Sequence, residues 1–99
     1  MASVLAEFSI TPMVEGDMRP FIDAALEQLD NAGVRYEVGP VGTTVEGEID
    51  HVLLAIKNAH EAVMEQGVSR VVTEIRIDEK KGGLTMEEEL SGYRMPQAA

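Results

Sequence analysis

The side chains of this 99-residue chain that could do chemistry are hydroxyls, carboxylates and one guanidinium, strung along segments of alternating polarity. They are Ser9 and Thr11, then Thr43, Thr44 and Glu46, then Glu74 with Arg76. A hydroxyl donates and accepts, a carboxylate accepts, and a guanidinium donates through a fixed fork. Together such groups can read a small heteroaromatic ring that carries an amino group. The same set could equally be a solvated or subunit-covered sheet face crossed by ion pairs. Other chemistries find less support. His51 and His60 stand nine residues apart on one helix, roughly 180° around its axis, so they cannot share a metal ion. His60 borders an apolar stripe and reads as a packed or hydrogen-bonded boundary residue. The run Glu87, Glu88, Glu89 reads as a solvated helix start that suits the helix dipole. No serine occupies a G-x-S-x-G elbow, and Gly39 and Gly42 lack the Lys-Ser/Thr that would complete a phosphate loop. The absence of cysteine excludes disulfides, zinc thiolates and thiol catalysis. No catalytic residue, metal ligand or cofactor can be named, and an enzyme is not expected.

The elements that must position these groups can be read from periodicity. Residues 3–11 alternate Val4, Ala6, Phe8 and Ile10 against Leu5, Glu7, Ser9 and Thr11, the period of a strand with one buried face. Pro12 ends it. Gly16 and Asp17 offer a loop and a helix cap, Pro20 fits a first turn, and Ile22, Ala25, Leu26 and Leu29 form one apolar helical stripe. Gly33 then closes that helix in the left-handed conformation. A second strand, Val34 to Val38, turns through Gly39–Gly42 into a third, Thr43 to about Gly47, close enough to demand an antiparallel hairpin. Glu48 or Asp50 caps a second helix whose buried stripe is Val52, Ile56, Ala59 and Val63, ending at Gly67. Residues 70–77 alternate again as a fourth strand.

The order βαββαβ, with right-handed crossovers, puts strands one and three in the middle, strands two and four at the edges, and both helices on one face. The fold class expected is α+β, a ferredoxin-like sandwich. Its open face then carries Glu7, Ser9, Thr11, Arg35, Glu37, Thr44, Glu46, Glu74 and Arg76. Beyond Asp78, the flexible turn Glu79–Gly83 leads to Thr85-Met-Glu-Glu88, which fits a capping box. Met86, Leu90 and Tyr93 are too few to hold a lone short helix, so this segment is expected to dock on its own sheet or a neighbour's. The whole chain, 1–99, reads as one domain with 96–99 a loose tail.

Composition limits the partners. Eighteen acidic against eight basic residues give a net charge of −10, which disfavours nucleic acid and anionic membrane. A cationic or amine-bearing ligand is less opposed. No apolar run approaches the ~18 residues of a membrane span and no export signal is evident, so a cytoplasmic location is expected. A chain this short buries a limited share of its surface, and association is expected to help it.

The segment Tyr36 to Glu48, with Gly39-Pro-Val-Gly-Thr-Thr-Val-Glu-Gly-Glu48 at its centre, is the most distinctive part. Together with Ala55–Ala62, Arg70–Asp78, Gly82–Glu89 and Tyr93-Arg94, it resembles the small thiamine-binding protein family over almost the whole chain. The resemblance implies a ferredoxin-like fold, homodimers or homotetramers, and binding of thiamine or its hydroxymethylpyrimidine moiety without turnover. By position in the motif it implies Thr43, Thr44 and Glu46 as ligand-binding groups, with Ser9, Thr11 and Arg76 beside them. Tyr93 or a partner's Phe would supply a stacking ring. The alternative is a structural or regulatory homo-oligomer whose polar sheet face is a subunit interface.

Overall fold

The computed structural model describes residues 2–93; the tail expected at 96–99, and Arg94, lie outside them. The elements are β1 (Val4–Pro12), α1 (Arg19–Ala32), β2 (Arg35–Val38), β3 (Thr43–Gly47), α2 (Ile49–Met64), β4 (Val71–Asp78) and α3 (Met86–Glu89). The four strands form one antiparallel sheet in the order β2-β3-β1-β4. This is the mixed α+β, ferredoxin-like architecture that the periodicities require.

Alternation sorts each strand's residues between two faces. The pairs Ala6–Val45, Phe8–Thr43, Tyr36–Val45 and Phe8–Ile75 lie on the helix face, and Glu7–Thr44, Leu5–Glu46, Ser9–Glu74 and Glu7–Arg76 lie on the open one. The core fills the first. Val4, Ala6, Phe8 and Val45 pack with Ala25 and Leu29 of α1 and with Val52, Ala55, Ile56, Ala59 and Val63 of α2. Thr43 therefore belongs to the helix side and Thr44, its neighbour in sequence, to the other.

Three local expectations need correction. Asp17 is not the N-cap of α1. That position is Met18, which makes no side-chain cap bond, and the Asp17 carboxylate instead accepts from the Arg19 N–H at 3.0 Å. The second helix stops at Met64, short of Gly67, because a turn in which the Gln66 N–H reaches Val63 O intervenes. Ile22, assigned to the buried stripe of α1, is 45% exposed because the first turns of that helix flank an opening in the structure. Gly33 does close α1 in the left-handed region, at φ 70°.

Side-chain bonds lock the helices in place. His51 Nε2 donates to the Ala32 carbonyl at 2.8 Å, joining the start of α2 to the end of α1. His60 Nδ1 lies 2.6 Å from Thr73 Oγ1, fixing α2 over β4. Both histidines thus serve as structural ties. The Tyr36 hydroxyl donates to Asp30 at 2.7 Å, and that bond to a carboxylate raises its pKa above the ordinary phenol value.

The segment after β4 folds back on its own sheet. The Leu84 N–H donates to Ser3 O at 2.9 Å, and the Met86 N–H to a Glu46 carboxylate oxygen at 2.6 Å. Thr85 caps α3: its hydroxyl oxygen accepts from the Glu88 N–H and its hydroxyl donates to the Glu88 carboxylate. Leu84 and Met86 are 4% and 3% exposed yet stand outside the main core. They close one end of the open face as a small second cluster.

Candidate ligand-binding site

A length mismatch between neighbouring strands creates one concavity. β3 pairs with β1 only from Val4 to Phe8, whereas β1 runs on to Pro12 against β4. The direction of the unpaired peptide groups follows from the ladder. The Met13 N–H donates to Arg70 O at 2.8 Å, and bonded pairs alternate along an antiparallel ladder. The peptide groups of Thr11 and Ser9 therefore turn to β4, and those of Ile10 turn the other way, past the end of β3. There the N–H and C=O of Ile10 meet no strand. Buried peptide groups need partners, so this edge is prepared for a donor and acceptor from elsewhere.

Around that edge lies a cleft of about 270 Å³, walled by Phe21, Ile22, Ala25 and Leu26 of α1, by the hairpin residues Val38–Thr43, and by Phe8–Thr11 of β1, with Val63 also contributing. Its size is at the small end of ligand pockets, which begin near ~300 Å³. The rim is apolar and open to solvent, with Val38 53% and Val41 82% exposed. None of the lining side chains is charged. The hairpin is held close by a Gly39 N–H to Gly42 O bond of 2.8 Å. A Cβ on Gly42 would stand 3.1 Å from the Phe8 carbonyl oxygen and 3.2 Å from Glu7 Cγ, so its role is close approach and no unusual φ is involved.

The residues singled out in the sequence divide between several places. Ser9, Thr11 and Thr43 line the cleft. Thr44 lines an acidic depression of about 370 Å³ on the other side of the hairpin loop, with Glu7, Glu37, Leu90 and Tyr93. Arg76 lies further along the open face, in a shallow hollow with Glu7, Ser9 and Glu74 and in another with Thr44 and Asp78. Glu46 lines none of these and holds the Met86 N–H. Three of the six predicted residues therefore border the cleft, Ser9 and Thr11 from positions whose parity is that of the open face, and the other three lie elsewhere on that face.

Sequence reasoning missed Ile22 and Leu26 as site residues because it assigned them to the buried stripe of the first helix, and it gave Phe21 no role. One signal was present: nine alternating residues in the first strand face only five in the third, so part of β1 has to lack a partner. Among the described residues, no three His, Cys, Asp or Glu side chains gather as a metal site, and no helix is long and apolar enough to cross a membrane.

Comparison with known proteins fits this architecture. A UPF0045 protein of Clostridium perfringens is 44% identical over 87 residues, covering 86% of this chain and 90% of the relative. A structure from Bacillus cereus of a domain of unknown function superposes with a TM-score of 0.86 at 37% identity, covering 94% of this chain and 91% of the other. A Thermotoga maritima protein, provisionally assigned to thiamine biosynthesis or salvage, superposes with a TM-score of 0.82 at 39% identity, covering 93% and 99%. A profile described as thiamine-binding protein matches residues 6–94. The chain belongs to the thiamine-binding protein family.

Proposed function

We propose that this protein binds thiamine or its hydroxymethylpyrimidine moiety without turnover, with the aminopyrimidine ring in the cleft between α1 and the hairpin. The observation that carries this reading is the overhanging edge of β1 inside an uncharged, apolar cleft. An aminopyrimidine presents a ring-nitrogen acceptor beside an amino donor, and the Ile10 peptide offers a donor and an acceptor. Thr43, on the helix side of β3, adds a hydroxyl to the lining. Phe8 and Phe21 give the ring aromatic neighbours. A lining without any titratable side chain supports binding rather than acid-base chemistry. Specificity follows because a ligand lacking those polar atoms would bury the site's own polar groups unpaired, at about 1–3 kcal/mol each.

A second reading rests on the acidic depression behind the hairpin. Glu7 and Glu37 with Tyr93 suit a cationic thiazolium through charge and ring contact, and this reading keeps Thr44 in a functional role. The two readings part on ionic strength, since exposed charge pairing is screened by salt and uncharged contacts are not.

Titration calorimetry with thiamine and with hydroxymethylpyrimidine at low and high salt tests both. Cleft binding predicts similar heats for the two ligands, little salt dependence, and an affinity loss of about tenfold in Thr43→Val. Binding in the acidic depression predicts strong preference for thiamine and weakening with salt. No heat and no thermal shift at millimolar ligand would remove both.

A further inference from the structure

A binding site tells an amino group from an oxo group through partners whose hydrogen-bonding role is fixed. A carboxylate accepts and never donates, and an ammonium or guanidinium donates and never accepts. The cleft between α1 and the hairpin is lined by none of these. Its only polar side chains are those of Ser9, Thr11 and Thr43, and the first two stand at positions of open-face parity. The Thr43 hydroxyl both donates and accepts, and it rotates to suit its partner. The remaining polar feature is the free edge of Ile10. In an antiparallel ladder one residue turns its N–H and C=O to the same side, so Ile10 presents a donor next to an acceptor beyond the end of β3. The surrounding backbone adds little that would fix a role. In the hairpin the Gly39 N–H is bonded to Gly42 O at 2.8 Å, and Pro40 has no N–H. In the first turn of α1 the Phe21 and Ile22 N–H groups are both held by Met18 O at 3.1 Å.

Resting on the cleft as the site of the pyrimidine ring, we infer that the protein accepts an aminopyrimidine and its oxo counterpart alike, with affinities within about tenfold of each other. An aminopyrimidine offers a ring-nitrogen acceptor beside an amino donor. The oxo ring carries a proton on that nitrogen, so the order is reversed to a donor beside an acceptor. Ile10 matches either pattern once the ring is turned over. In one orientation its N–H donates to the ring nitrogen and its C=O accepts from the amino group. In the other its N–H donates to the oxo oxygen and its C=O accepts from the ring N–H. Turning the ring over exchanges the places of its methyl and hydroxymethyl substituents. The rim is open and apolar at Val38 and Val41, and no charged lining side chain favours one arrangement. The cleft thus reads the presence of a polar edge and not its polarity. The oxo compound that arises from the amino one by hydrolysis, with water consumed and ammonia released, competes for the same place. The acidic depression would behave in the opposite way, because the Glu7 and Glu37 carboxylates only accept and would favour the amino ring.

Titration calorimetry on the full chain decides the matter with three pyrimidines: hydroxymethylpyrimidine, its analogue with oxygen in place of the amino group, and its analogue with hydrogen there. The first two are expected to bind within about tenfold of each other. The third is expected to bind at least about tenfold more weakly than hydroxymethylpyrimidine, because it leaves the Ile10 carbonyl unpaired. Rejection of the oxo analogue by more than about tenfold overturns the inference, and so does a hydrogen analogue that binds within about tenfold of the parent. Either of those results, with hydroxymethylpyrimidine itself bound, leaves the proposed function standing; absence of binding by thiamine and hydroxymethylpyrimidine removes both. Hydrogen exchange on the unsubstituted protein locates the contact without any variant. The Ile10 amide should exchange more slowly with either the amino or the oxo ring bound, and protection by the amino ring alone, or by neither, counts against the inference.

Discussion

The two faces of the sheet carry the same backbone but are closed by different means. On the helix side, two helices of 14 and 16 residues cover Val4, Ala6, Phe8 and Val45, and the contacts run through the whole domain. On the open side, the cover is a short segment with a four-residue helix, held by Leu84, Met86, a Thr85 cap and one carboxylate. The first cover is cooperative with the fold, and the second is local. Local covers open at lower free energy than the global transition. The difference teaches that one strand can belong to the core and to a detachable layer at once. Its inward residues set global stability, while its outward ones hold whatever lies across them.

Substitutions on either side can break or sharpen this contrast. The largest effect is expected at Ile56, 1% exposed in the main core: Ile56→Ala should lower global stability by about 2–5 kcal/mol, read as a shift of the single denaturant transition. Glu46→Ala should act locally, removing a charge-assisted bond worth about 1.5–3 kcal/mol. The Met86 amide should then exchange faster while the amides of β1 and β3 keep their protection, and affinity in the cleft should not change. Equal loss of protection in both places would mean that the two covers open together. The smallest effect concerns Tyr36. Its phenol pKa is raised, first by the hydrogen bond to Asp30, so the bond favours the protonated form. Its stabilising contribution is complete below the unfolded pKa and is lost as pH rises through the folded one. Spectrophotometric titration should find Tyr36 above the ordinary phenol value, and Asp30→Asn should bring it down.

Much of this was legible in the sequence because it depends on parity. Alternation alone separates Thr43 from Thr44 and puts Ser9 with Glu74, and helical spacing identifies Leu29, Val52, Ile56 and Val63 as core. The hairpin and the strand order followed from loop length and crossover handedness. What could not be read is set by distance along the chain. The Glu46 to Met86 bond joins residues 40 apart, and no local pattern announces it. Ile22 and Leu26 have the right spacing for burial, and only the position of α1 beyond the end of β3 turns them into walls. The short C-terminal helix was legible through its Thr85–Glu88 cap, but its docking surface was not.

Gly42 has one further consequence. The space beside it is closed by the Phe8 carbonyl and the Glu7 side chain, so the hairpin approaches β1 closely here. The spacing at this point of the hairpin is set in part by backbone, at the Phe8 carbonyl. A side chain at position 42 would act like a shim, propping the loop away from the strand and detuning the opening while leaving every other lining residue unchanged.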